Sequence, residues 1–146
     1  MKKSFSVITA VIVIVVLTVV GLTMWKNSEK NLTGKEDLIR VEAPKANAVI
    51  KNPLVVRGEA RGYWYFEASF PVRLYDGDGR EIAVGIAQAQ GDWMTTEFVP
   101  FEGKLIFSTP DPSTSSGQTG TLVFQKDNPS GLPEHDDELR IPVRFF

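Results

Sequence analysis

From Trp64 to Tyr75 apolar and polar side chains alternate without interruption, and a strand is the regular element with a period of two. Trp64, Phe66, Ala68, Phe70, Val72 and Leu74 share one phase; Tyr65, Glu67, Ser69, Pro71, Arg73 and Tyr75 share the other. Such a pattern predicts a strand with one face on a core and one on solvent. Pro71 has no ladder donor, so the strand is expected to lie at an edge or to bulge there.

The same period recurs along the chain. Leu38 to Glu42 alternates and stops at Pro44, and Leu54 to Ala60 alternates after Asn52-Pro53. Asp76-Gly77-Asp78-Gly79 carries the glycines of a hairpin turn and leads into Glu81 to Gln90. There Ile82, Val84 and Ile86 alternate with smaller or polar residues. Phe101, Leu105 and Phe107 mark a further strand after Pro100. Thr121 to Gln125 follows, with Leu122 and Phe124 inward, and then Arg140 to Phe145, with Ile141, Val143 and Phe145 inward. About seven short strands with closely spaced turn signals predict an all-β, antiparallel, immunoglobulin-like β-sandwich. A small closed barrel is the alternative.

Ahead of this pattern stands an uncharged run from Val7 to Met24, preceded by Lys2 and Lys3 and closed by Trp25 and Lys26. As a helix it is about 27 Å long, close to the hydrocarbon thickness of a bilayer. Residues 1–25 are therefore expected to be a transmembrane signal-anchor, with the amino terminus cytoplasmic and the rest extracytoplasmic. Secretion after cleavage near Gly21 is the alternative. Residues 26–37 read as a polar stalk, and residues 38–146 as the sandwich.

Charge and residue types narrow the function. From Leu38 onward 11 Lys and Arg stand against 15 Asp and Glu, a poor match for a phosphate backbone, so nucleic acid is not an expected partner. The chain has no cysteine, which removes disulfides and thiolate metal sites. Asp76 and Asp78 lack the further oxygen ligands and closing glutamate of a calcium loop. Glu134, Asp136, Asp137 and Glu138 surround the only histidine, His135, and read as a solvated loop rather than a metal site. Glu67 with Glu59 or Glu97 gives no sign of a glycosidase pair, and no serine lies in a nucleophile-elbow context. The expectation is no catalytic residue, no metal and no cofactor. The outward phase of the long strand, Tyr65, Glu67, Arg73 and Tyr75, is the candidate partner-binding face, because exposed tyrosines suit contact surfaces.

The stretches NPLVVRGEA (Asn52 to Ala60), WYFEASFPV (Trp64 to Val72), GDWM (Gly91 to Met94) and NPSG (Asn128 to Gly131), in this order, resemble the immunoglobulin-like domain of bacterial spore germination proteins. That domain accompanies the GerMN domain, which this sequence does not contain. The resemblance implies a β-sandwich in a bacterial envelope protein and supplies no catalytic residues. The expected function is an anchored, non-catalytic module that binds an envelope protein or cell-wall component and touches the lipid bilayer through Val7 to Met24. A structural subunit of a membrane or germination complex and an envelope hydrolase are the alternatives.

Overall fold

The computed structural model describes residues 34–114 and 118–146. The expected anchor Val7 to Met24 and most of the stalk lie outside the described residues. No helix among the described residues is long and apolar enough to cross a membrane. Lys35–Phe146 form a compact unit.

Seven antiparallel strands run in the hydrogen-bonded order β1-β2-β5-β4-β3-β6-β7. They are β1 (Ile39–Ala43), β2 (Leu54–Arg61), β3 (Ser69–Asp76), β4 (Glu81–Ala89), β5 (Phe98–Leu105), β6 (Thr119–Gln125) and β7 (Glu138–Arg144). The ladder is continuous but divides into two layers. β4 pairs with β3 along most of its length and with β5 only through Ala87, Gln88 and Ala89. One layer is β1-β2-β5 and the other β4-β3-β6-β7. Glycine makes the junction possible: a Cβ on Gly103 would lie 2.8 Å from the Ile86 carbonyl oxygen and 3.1 Å from Val56.

Aromatic rings join the layers. Phe101 of β5 meets Phe70 of β3 edge-on at 5.0 Å and Phe124 of β6 at 5.9 Å. Around them Val56, Val72, Leu74 and Leu122 are fully buried. The chain crosses between layers after β1. Asn47 donates to the Pro142 carbonyl and Ile50 to that of Arg144, so this segment runs parallel to β7 and covers part of its edge.

The long alternating segment is not one strand. Gly62–Trp64 form a turn of 3-10 helix, and Phe66 to Ser69 close a two-residue hairpin turn. Both central residues of that turn, Glu67 (φ 49°) and Ala68 (φ 63°), are left-handed. These two turns interrupt the alternation. Trp64 and Tyr65 are both buried, while Phe66 is exposed, the reverse of its expected orientation. Only Ser69–Asp76 keeps the predicted alternation. Pairing with β6 begins at Val72, so Pro71 stands where β3 has β4 alone as a neighbour.

Candidate functional site

The two outer faces of the sandwich differ in kind. On the β1-β2-β5 layer, Arg40 pairs with Glu59 at 2.8 Å and Arg57 with Glu102 at 2.8 Å. Arg61 reaches Glu97 at 3.7 Å, and Arg40 and Arg61 both stack on the Phe98 ring, at 3.9 and 4.0 Å. Charges here are matched across the ladder, as on an ordinary solvated face.

The outer face of β4-β3-β6-β7 is mixed. Register places Val84, Arg73, Val123 and Arg140 in one row across four strands, and Tyr75, Thr121 and Pro142 in the next. Ile86 lies opposite Pro71. Val84 and Ile86 are each 48% exposed, although both belong to the apolar set of their strand. Their orientation follows from the layer junction. The inward positions between and beyond them are Gly85 and Ala87, because only small residues fit where β4 passes close to β5. A Cβ on Gly85 would stand 2.7 Å from the Lys104 carbonyl oxygen.

Polar contacts order this face. Arg73 holds Glu81 at 2.7 Å and donates through Nε to Gln125 at 3.1 Å; the Tyr75 hydroxyl donates to the same Glu81 carboxylate at 3.3 Å. The Glu81 hydrogen bond raises the Arg73 pKa above its ordinary value. Partial burial raises that of Tyr75, with Glu81 adding to the effect and Arg73 and Arg140 opposing it. Arg140 is held by Glu138 at 2.6 Å through Nε. At the hairpin end of the face, Tyr75, Thr119, Gly120, Thr121 and Arg140 border an open depression of about 380 Å³.

Of the four residues expected on a binding face, the structure brings Arg73 and Tyr75 together and sets Tyr65 and Glu67 apart. Tyr65 is 3% exposed, donates its hydroxyl to the Val99 carbonyl at 2.6 Å and packs on Phe70. It belongs to the core, because the 3-10 turn just before it rotates it inward. Glu67 occupies the left-handed turn that precedes β3. The face also includes Val84, Ile86, Glu81, Gln125, Thr121 and Arg140, which periodicity within one strand could not assemble. The signal for them was the hairpin turn at Asp76–Gly79, which sets the register of β4 on β3.

The other constellations resolve into structure. Asp76 accepts from the backbone N–H groups of Asp78 (3.0 Å) and Arg80 (2.9 Å) and from the Arg80 guanidinium. These bonds, the Arg80 backbone donor first, lower its pKa, and its side chain is only 1% exposed. It caps the turn that Gly79 completes at φ 80°. In the loop after β6, Ser130 Oγ lies 3.0 Å from His135 Nδ1. The same oxygen contacts Asn128 Oδ1 at 2.5 Å and accepts from the Leu132 N–H at 3.3 Å, so it is a tie within the loop. The surrounding acids disperse: Asp137 pairs with Lys35, Asp136 accepts from Asn128 and Glu138 from Arg140. Among the described residues no three or more metal-ligating side chains converge.

The architecture, two antiparallel layers joined by an aromatic core and a first segment shared between them, is that of an immunoglobulin-like sandwich. No curated protein and no solved structure matches this chain. Residues 38–131, from the start of β1 into the loop that follows β6, match the family described as the immunoglobulin-like domain of bacterial spore germination, and the chain belongs to that family.

Proposed function

We propose that this protein is a membrane-anchored, extracytoplasmic and non-catalytic binding module, and that its outer β4-β3-β6-β7 face engages an envelope protein or cell-wall component. One observation carries this reading: Val84 and Ile86, each 48% exposed, stand beside the Arg73–Glu81–Tyr75 cluster, while the opposite face sets cross-strand ion pairs beside the less exposed Val55. Apolar side chains bordered by tyrosine and arginine make the composition typical of contact surfaces. The run Val7 to Met24 supports anchoring, with the domain held on the far side of the bilayer. Family membership supports an envelope setting.

The test is site-specific photocrosslinking of the full-length chain in its native membrane. A crosslinker at Val84 or Ile86 is expected to capture a discrete partner, and one at Glu59, on the other layer, is expected to capture none. Equal capture from Glu59, or none from Val84 and Ile86, rejects the assignment of the face.

A further inference from the structure

The depression at the hairpin end of this face has a chemistry of its own. Arg140 contributes only Nε to Glu138; its remaining guanidinium nitrogens make no hydrogen bond or ion pair among the described residues. The hydroxyls of Thr119 and Thr121 are likewise without protein partners among the described residues. The Tyr75 ring lines the same space beside Arg140. Asp76, the one acid on the rim, has its side chain turned inward and bound to Arg80, so it presents little negative charge to a ligand.

The depression on the other layer, about 210 Å³, supplies the contrast. It contains Arg57, which is held by Glu102, and is lined also by Glu42 and Glu59, so carboxylates outnumber the guanidinium there.

We propose that the Arg140 depression is a subsite for a carboxylate carried by the partner. The guanidinium fork takes the two carboxylate oxygens, the threonine hydroxyls take neighbouring polar groups, and the Tyr75 ring packs on adjoining C–H surface. The assignment rests on the reading of this face as the binding surface and names the chemistry it selects. A carboxylate of this kind is offered by an acidic sugar of a wall glycan or by the end of a peptide, and the two share the same recognition.

The test uses the full-length chain in detergent micelles, with NMR signals of arginine Nε and of the Gly79 and Gly120 amides as readout. Probes are N-acetylmuramic acid, its methyl ester and N-acetyl-D-alanine. At least one acid is expected to shift these signals saturably, and the ester to bind at least tenfold more weakly than its acid. Arg140→Gln is expected to weaken binding about tenfold, Arg140→Lys less, and Arg57→Gln not at all. Preference for the sugar acid assigns a glycan source, and preference for the alanine derivative a peptide source. Binding by neither acid, equal binding of the ester, or indifference to Arg140→Gln overturns the subsite. Continued crosslinking from Val84 in that case leaves the larger face standing, so the two proposals fail separately.

Discussion

The turn Phe66–Ser69 should be the easiest place to make this domain more stable. Phe66 donates to the Ser69 carbonyl at 3.0 Å and Ser69 returns the bond at 3.1 Å, closing a two-residue loop. Both central residues are left-handed, which matches the twist of the strands but is built from Glu67 and Ala68. A left-handed residue with a Cβ costs roughly 1–2 kcal/mol relative to the right-handed region. Ala68→Gly removes that cost but gives back about 0.5–1 kcal/mol through the freer unfolded chain. Glu67→Asn brings a residue that tolerates this region. The double variant should therefore gain about 1–2 kcal/mol, allowing for incomplete additivity of neighbours. At roughly 4–6 °C per kcal/mol for a domain of this size, Tm should rise by about 4–12 °C. Thermal unfolding of the full chain, followed by β-sheet circular dichroism, measures it. Ala68→Val, which adds a β-branched side chain at φ 63°, should move Tm the other way. An unchanged or lower Tm in the Asn-Gly variant, with the fold intact, would refute the strain assigned to this turn.

Tyr65→Phe deletes a buried hydroxyl bonded at 2.6 Å to Val99 and should cost about 1–2 kcal/mol in denaturant unfolding. Burial raises the Tyr65 pKa, so its stabilisation is complete below the ordinary tyrosine value of about 10 and is lost as pH rises from there toward the folded pKa. Alkaline unfolding should accordingly be less steep in Tyr65→Phe than in the wild type. Asp76 has a lowered pKa, so its contribution is present above the unfolded carboxylate value of about 3.9 and disappears as pH falls through the folded one. Asp76→Asn should flatten the acid limb of a stability–pH profile; an unaltered limb would show that the turn does not depend on the charge. Gly103→Ala forces a Cβ to 2.8 Å from the Ile86 carbonyl oxygen and should cost about 1–3 kcal/mol, read as a lower unfolding midpoint.

Much of the sandwich was legible because each strand has to hide one face. In β6 and β7 the apolar phase predicts inward Leu122, Phe124, Ile141 and Val143, and the structure buries all four. The hairpin at Asp76–Gly79 was readable from its glycines, and Asp76 performs the local capping that its residue type suggests. The candidate site was half legible. Arg73 and Tyr75 belong to a regular strand, so their shared phase carried through to the structure. Tyr65 failed because two turns interrupt the alternation without breaking its pattern in the sequence. A 3-10 turn advances three residues per turn and a left-handed pair reverses the chain, so Tyr65 and Phe66 leave the alternation that Trp64 and β3 still share.

The alternation of apolar residues by itself determined that this chain makes short antiparallel strands around one core, because no other element buries a period of two. The run Val7 to Met24 sets only the expectation of an anchor, and it lies outside the described residues. Which side of β4 faces the core was decided only in three dimensions. Periodicity says that Ile82, Val84 and Ile86 alternate, and hydrophobicity alone would send Val84 and Ile86 inward. The approach of β4 to β5 leaves inward room only for Gly85 and Ala87 beside Gly103, so Val84 and Ile86 turn out to solvent. That steric requirement, set by a strand more than a dozen residues away, places apolar side chains beside Arg73, Glu81 and Tyr75.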